Sequence, residues 1–341
     1  MSSLNIELIE KFETDVYSLA DKDNSFCIFN SINEILFLVY STIDFSIVFY
    51  DTFNKIKIIE IKKAHNSYII EFRHYLEEKN KYNKRDLILS GSYNDRNIKI
   101  WDFNNIECIF NIKPYLKGII NSACFLYDNN IQELLIITSN YNNEDNIAQD
   151  ASIKVFNLKG EELNEMEDSE ENILFIDSFY DEKYNKNYII TANKYSVISY
   201  DYEVNKLYYV YMKGEFLYDC TSTVIYNKKR DKGKIVKLIY STGNGLIRIW
   251  DFHYGVLLDE IELNKGYIFS ICLLNEKYLF SCGKSYNNDL IKIKDEKTCL
   301  EIIHINGEIT CKIVEYYKLG KCLVTKNLPS DGPLKLWKIK I

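Results

Sequence analysis

Two stretches of the sequence decide the fold: Ile98-Lys99-Ile100-Trp101-Asp102 and Ile247-Arg248-Ile249-Trp250-Asp251. Each alternates aliphatic with basic residues and ends on Trp-Asp, a pattern typical of a short β-strand that runs into a turn. Five weaker copies keep the same rhythm, at residues 47–51, 153–157, 197–201, 290–295 and 334–338. The copy at 290–295 departs from the others because Lys294 stands where the aromatic residue should be. These seven anchors indicate an internal repeat.

The spacing of the anchors points to a radial repeat of sheets. The residue after the aromatic position falls at 51, 102, 157, 201, 251, 295 and 338. A repeat of about 40–45 residues with modest insertions is the period of a propeller blade. Most anchors follow an apolar run that ends in small residues, such as Leu87-Ile88-Leu89-Ser90-Gly91-Ser92. Each unit therefore reads as four short strands, named a, b, c and d in chain order.

Ser90-Gly91-Ser92, Asp95 and Trp101-Asp102 together resemble the signature of the WD40-repeat family, and 241–251 does so as well. The resemblance implies an all-β, seven-bladed β-propeller that occupies residues 1–341 as a single domain, with the third strands ending near the seven positions above. The first strand a is expected near 16–19. Residues 4–10 alternate at period two, and the last anchor ends three residues before the last residue. We therefore expect the N-terminal strand to close the ring, which removes an exposed sheet edge.

Composition argues against several classes of function. The chain has 49 acidic and 42 basic residues, a net charge of −7, so general nucleic-acid binding is not expected. Its nine cysteines form no C-x-x-C pair, which favours buried thiols in a reducing compartment over disulfides or a zinc site. The N-terminus lacks the features of a secretory signal, and no apolar run reaches the ~18 residues of a membrane span. These features predict a cytoplasmic protein.

In WD40 blades a His before strand a, a Ser on strand b, an Asp in the b–c turn and the Trp on strand c form a hydrogen-bonded network. The resemblance assigns these positions to His65, Ser90, Asp95 and Trp101, and we predict a structural role for them. A Ser-His-Asp triad is the alternative, but no G-x-S-x-G nucleophile elbow is present. The four histidines show no ligand spacing. We expect no catalytic residue, no metal, no cofactor and no enzymatic activity.

Antiparallel meanders place connections b–c and d–a at one end of each sheet, called the top face, and connections a–b and c–d at the other, called the bottom face. Segment 161–172 is acidic and leads to the top face, whereas 77–86 and 227–234 are basic and belong to the bottom face. These segments are either binding surfaces or simply solvated loops, because charge patterning alone shows exposure.

Aromatic residues recur where strand a begins. In WD40 proteins such positions commonly line the top of the central channel, and aromatic side chains are frequent at binding hot spots. Packing between blades is the alternative for each of them. The candidate residues for binding a partner on the top face are Tyr17, Tyr68, Phe175, Tyr218, Tyr267 and Phe269.

These features predict a non-catalytic scaffold that binds a peptide or protein partner, favoured if basic, on its top face. The alternative is a structural subunit that docks an acidic protein or RNA through basic bottom-face loops. Neither reading involves a membrane, and nucleic acid enters only through those bottom loops. The propeller is expected to be monomeric, either alone or within a larger complex.

Overall fold

A computed structural model describes the chain at residues 5–12, 26–80, 83–115, 118–141, 152–167, 173–181, 184–193, 196–201, 206–211, 217–226, 234–242, 245–251, 254, 256–263, 266–274, 278–285, 291–295, 300–306, 308–316, 320–327 and 334–340. Within these residues 28 strands form seven four-stranded sheets, and no helix is present. The chain divides into two compact units, Met1–Ile176 with Val314–Leu323 and Pro329–Ile341, and Asp177–Ile313 with Val324–Leu328.

The first three sheets are antiparallel meanders in chain order. The first contains β2 (Phe26–Asn30), β3 (Leu36–Ser41), β4 (Ile47–Asp51) and β5 (Ile56–Ile61). The second contains β6 (Ile69–Asn80), β7 (Asn83–Ser92), β8 (Ile98–Asp102) and β9 (Glu107–Ile112). The third contains β10 (Ile119–Asp128), β11 (Glu133–Tyr141), β12 (Ser152–Asn157) and β13 (Glu162–Glu167).

The next three sheets follow in the sequence. The fourth contains β14 (Ile173–Asp181), β15 (Lys186–Asn193), β16 (Ser196–Asp201) and β17 (Lys206–Tyr211). The fifth contains β18 (Leu217–Tyr226), β19 (Lys234–Thr242), β20 (Leu246–Asp251) and β21 (Val256–Glu262). The sixth contains β22 (Gly266–Leu274), β23 (Tyr278–Ser285), β24 (Ile291–Asp295) and β25 (Leu300–Asn306).

The seventh sheet joins the two ends of the described chain. It contains β26 (Glu308–Tyr316), β27 (Gly320–Asn327) and β28 (Leu334–Lys340), with β1 (Asn5–Phe12) as its outer strand, in the order β1-β28-β27-β26. Strand β1 runs antiparallel to β28, pairing Ile6 with Ile339 and Phe12 with Leu334. The N-terminal strand thus occupies the place of a fourth strand in the last sheet.

The apolar runs are continuous because their strands are buried on both faces. In β7, Ile88 packs with Phe49 and Trp101 in a cluster shared with the first sheet. Its neighbours Leu87 and Leu89 point the other way, into a cluster shared with the third sheet. Successive side chains of a strand alternate between faces, so a strand between two packed sheets must be apolar throughout.

The Asp of the anchor caps the turn from strand c to strand d. The Asp51 carboxylate accepts hydrogen bonds from the backbone N–H of Phe53, at 2.9 Å, and of Asn54, at 3.0 Å. Asp102 does the same for Asn104, at 3.0 Å, and for Asn105, at 3.3 Å. Asp and Asn side chains form such turns readily, which explains the anchor residue as a local turn signal.

One expectation on strand placement is wrong, and another falls on residues that the structure does not describe. The first described strand of the first sheet is β2, which begins at Phe26 and pairs with β3 across a tight turn. Residues 16–19, where the first strand a is expected, lie outside the described residues. In the sixth sheet β23 pairs with β25 in parallel, and the anchor strand β24 lies outside β25. Strand β25 is the more apolar of the two and contributes the buried Ile303 and Ile305, whereas lysines alternate along β24. The apolar strand therefore takes the inner place.

Candidate functional site

The predicted tetrad comes together where the second sheet meets the connection from β5 to β6. Trp101 Nε1 donates to Ser90 Oγ at 2.8 Å, and Ser90 Oγ lies 2.8 Å from His65 Nε2. His65 Nδ1 lies 3.2 Å from Asp95 Oδ2. A neutral His65 with its proton on Nδ1 satisfies every contact, since it accepts from Ser90 and donates to Asp95. The chain of donors runs in one direction and ends on a carboxylate.

Burial and hydrogen bonding set the protonation states of His65 and Asp95. Burial lowers the pKa of His65 below its usual 6.5, although its hydrogen bond to Asp95 acts in the opposite direction. Burial alone would raise the pKa of Asp95, but hydrogen bonds from His65 and from two backbone N–H groups, those of Asn66 and Asn97, hold it well below its usual range. The His65 side chain is 0 % exposed and that of Asp95 is 7 % exposed. The geometry satisfies buried polar groups and leaves Ser90 no access to a substrate.

We expect the stability of the fold to fall in mild acid because of His65. A histidine whose pKa is lowered by folding contributes stability above its unfolded pKa of 6.5, and that contribution is lost as the pH falls toward the folded value. Urea unfolding gives the free energy of unfolding at about pH 7.5 and at about pH 5.5. The difference between these two values should be smaller in His65→Gln than in the wild type. Leu163→Ala, which changes an exposed side chain that does not titrate, is the control and should retain the wild-type difference. An unchanged difference in His65→Gln would contradict this role.

The third sheet carries a variant of the tetrad that the sequence reasoning missed. Tyr115 stands four residues before β10, as His65 stands four residues before β6. Its hydroxyl lies 3.0 Å from Thr138 Oγ1, 2.9 Å from Thr138 O and 3.0 Å from Ser152 O. Tyr115 is buried, and burial raises its pKa well above the usual range. The signal available in the sequence was its spacing from the following strand.

Replacing Tyr115 with Phe should destabilise the protein by about 1–3 kcal/mol, because buried partners of the hydroxyl are left unpaired. The matched control is Tyr127→Phe, which removes an exposed hydroxyl that bonds Gln132 at 3.1 Å, and its effect should stay within about 0.5 kcal/mol. Chemical denaturation of the two variants and the wild type measures both changes. Equal midpoints for Tyr115→Phe and the wild type would show that the hydroxyl is not a structural anchor.

The strand register relates the top-face candidates to one another. Strands β6, β10, β18 and β22 each bulge near their start, and the bulged residues are Ile70, Asn121, Tyr218 and Phe269. The side chains of Ile70 and Asn121 are buried, and Phe269 is half-buried. Tyr68 and Tyr267 stand two residues before their bulges. The bulged side chain is therefore packed in β6 and β10, and a partner-binding role for the position two residues earlier is still a prediction.

The individual candidates are described to different extents. Tyr68 is half-buried, and its ring meets that of Phe45 edge-on at 5.2 Å. Phe175 is half-buried on β14. Tyr17 lies outside the described residues, and only the backbone positions of Tyr218 and Tyr267 are described. Participation of all six residues in a single surface remains a prediction.

A second polar network, absent from the sequence analysis, joins the inner strands β6, β10 and β14. The carboxylate of buried Glu71 accepts from Arg73 Nε at 2.7 Å and from Ser122 Oγ at 3.2 Å. Ser122 Oγ in turn accepts from the backbone N–H of Ile176 at 3.3 Å. The Arg73 guanidinium lies 5.9 Å from the centre of the Phe175 ring. Phe175 thus belongs in part to a structural network, which supports the packing alternative for this residue.

Ion pairs reduce the charge of two predicted loop surfaces. Within the basic segment 77–86, Arg85 pairs with Glu77 and Lys84 pairs with Glu78 across the hairpin of β6 and β7. Within the acidic segment 161–172, residues 162–167 form the outer strand β13, and Lys154 binds Glu162 at 2.9 Å and Glu165 at 3.1 Å. Residues 168–172, 227–233 and the 142–151 part of the longest b–c connection lie outside the described residues.

Two features are absent from the described residues. No group of three or more His, Cys, Asp or Glu side chains is arranged to hold a metal ion there. The same part of the chain contains no helix that could cross a membrane, because it forms only strands and turns.

Comparison with known proteins gives a fold and no family. No protein-family model matches the chain, and no curated protein matches it. Among solved structures, 1134 chains match. One of them is the crystal structure of BBS1N in complex with ARL6DN, soaked with lead. It superposes with a TM-score of 0.68 at 10% identity, over 98% of this chain and 97% of that chain. Together with the antiparallel four-stranded sheets, this likeness identifies the chain as an all-β protein with a β-propeller fold.

Proposed function

We propose that this protein is a non-catalytic interaction scaffold: a single seven-bladed WD40-type propeller, closed by β1, that binds a peptide or protein partner on its top face. The observation that carries the proposal is the match of nearly the whole chain to a propeller whose structure was solved in complex with another protein. The seven described sheets and the pairing of β1 with β28 support seven blades and closure by the N-terminal strand. A cytoplasmic location is part of the proposal.

The tetrad supports a scaffold over a hydrolase. A serine nucleophile needs a base that can take its proton and an open path for substrate. Here Ser90 is buried, and its oxygen already accepts a hydrogen bond from the Trp101 indole. The side chains of His65, Ser90 and Trp101 therefore satisfy one another's hydrogen-bonding groups inside the sheet.

The charges of the loops also indicate the charge of the partner that each face would bind. Because Lys154 already pairs with Glu162 and Glu165, we propose that a basic partner would meet Glu167 and the acidic residues of 168–171. The alternative is docking of an acidic protein or RNA through basic bottom-face loops. It is weakened at 77–86, where Lys84 and Arg85 pair with glutamates. The remaining basic residues for this alternative are Lys79, Lys81, Lys228, Lys229 and Arg230.

Replacing both Tyr68 and Tyr267 with Ala should weaken capture of native partners by about tenfold or more, as expected for hot-spot aromatics, while the fold is kept. The measurement is quantitative affinity purification with mass spectrometry, with wild type and variant compared side by side. Tyr184→Ala is the matched control, since Tyr184 is an exposed tyrosine in an a–b connection. If partners persist in the double variant but are lost when Lys228, Lys229 and Arg230 are changed to Glu, the bottom face is the functional one.

A further inference from the structure

The outer strands β5 and β21 carry equivalent patches of exposed apolar side chains. The first patch comprises Phe53, Ile56 and Ile58, which are 48 %, 50 % and 46 % exposed. The second comprises Tyr254, Val256, Leu257 and Leu258, which are 77 %, 53 %, 41 % and 37 % exposed. Contiguous apolar surface of this kind commonly marks an interaction site.

A bulge explains why consecutive apolar residues are exposed. In β5 the pairing with β4 skips Ile58, and in β21 the pairing with β20 skips Leu258. A bulge breaks the strict alternation of side chains, so neighbours on one strand can face the same side. The same bulges disturb the edge of the sheet and disfavour addition of another strand by backbone pairing. The two patches are therefore suited to side-chain contacts.

The charges that flank the two patches are opposite in sign. Residues 53–63 contain four lysines, Lys55, Lys57, Lys62 and Lys63, and one acidic residue, Glu60. The strand that carries the second patch ends in Asp259, Glu260 and Glu262 and contains no lysine or arginine. Within the chain Lys57 pairs with Glu60 at 2.6 Å, and Arg248 of β20 pairs with Glu260 at 2.6 Å. Each patch retains an excess of one sign, with exposed Lys62 in the first and exposed Glu262 in the second.

We propose that β5 of one copy of this chain docks against β21 of a second copy, so that the protein self-associates head to tail. When the two strands run side by side in the same direction, the apolar residues at their beginnings meet, and Lys62 meets Glu262. A symmetric contact of β5 with β5 would bring like charges together. The contact is heterologous, so it extends to rings or filaments at high concentration. The contact is weak because the apolar patches are small, and it is salt-sensitive because the flanking charges are exposed.

The test is sedimentation velocity of the full-length protein over a concentration series at low and at high salt. The wild type should show a sedimentation coefficient that rises with concentration at low salt and rises less at high salt. One variant carries Lys57→Glu and Lys62→Glu, and the other carries Glu260→Lys and Glu262→Lys. Each should remain monomeric when alone, because both of its patches then have the same sign.

An equimolar mixture of the two charge variants should restore association, since each supplies the complement that the other lacks. Leu163→Ala, at the equivalent exposed bulge of β13, is the control and should associate as the wild type does. If a charge variant does not fold, as judged by circular dichroism, Ile58→Ser and Leu258→Ser replace it and should each abolish association. A wild type that stays monomeric throughout, or a mixture that stays monomeric, would overturn the proposal.

Discussion

Removing residues 1–12 is expected to cause the largest loss of stability of any change considered for this protein. Strand β1 pairs with β28 from Asn5 to Phe12, with one irregularity between Leu8 and Glu10, and Glu7 forms an ion pair with Lys340 at 2.5 Å. Its removal leaves one side of β28 without hydrogen-bond partners, and exposed strand edges invite aggregation. The loss should exceed the about 0.5–3 kcal/mol of a typical point substitution. Thermal unfolding and light scattering measure it.

The control for this deletion is removal of residues 1–4, which keeps all of β1 and should leave the melting temperature unchanged. A synthetic peptide of residues 5–12 (NIELIEKF), added to the truncated protein, should reduce aggregation by occupying the exposed edge of β28. A monomeric truncated protein with the wild-type melting temperature would show that β1 does not close the propeller.

Replacing Asp95 with Ala should lower the free energy of unfolding by about 1–3 kcal/mol. Three donors lose their acceptor at once: His65 Nδ1 and the backbone N–H groups of Asn66, at 2.9 Å, and Asn97, at 3.0 Å. Because His65 and Ser90 are buried, water cannot fully replace the carboxylate. Urea denaturation of the variant and the wild type at pH 7 gives the difference.

Asp44 offers a matched control for Asp95. It lies six residues before Tyr50, as Asp95 lies six residues before Trp101, but it is exposed and accepts a hydrogen bond from the nearby Ser46 Oγ at 3.0 Å. Asp44→Ala should therefore leave the urea midpoint close to that of the wild type. If Asp95→Ala kept full stability and instead abolished a measurable hydrolytic activity, the enzymatic interpretation of the tetrad would replace the structural one.

Features carried by local chemistry were predictable from the residues. The anchor strands end at Asp51, Asp102, Asn157, Asp201 and Asp251, where the carboxyl or amide can cap the following turn. Period-two alternation and the Trp-Asp ending depend on a few neighbouring residues, so a single sequence contains them. The tetrad positions were implied by the resemblance to WD40 repeats, and the structure brings the four side chains together.

Other features depended on competition between segments that are distant in the sequence. In the sixth sheet it is β25, and not the anchor strand β24, that pairs with β23, and the anchor residues alone do not reveal this order. The charge of the 77–86 hairpin depended on the register that brings Arg85 to Glu77 and Lys84 to Glu78. The number of charged residues follows from the composition, but which of them form ion pairs depends on the strand register.

The sequence by itself determined that this is an all-β repeat protein, because alternation, turn residues and repeat length are properties of short segments. Only the tertiary structure decided that Tyr115 takes the place of a histidine and that Glu71, Arg73 and Ser122 join three sheets. It also decided that bulges expose the apolar patches of β5 and β21. Such features arise when side chains from separate repeats meet, and no single repeat contains the partner that completes them.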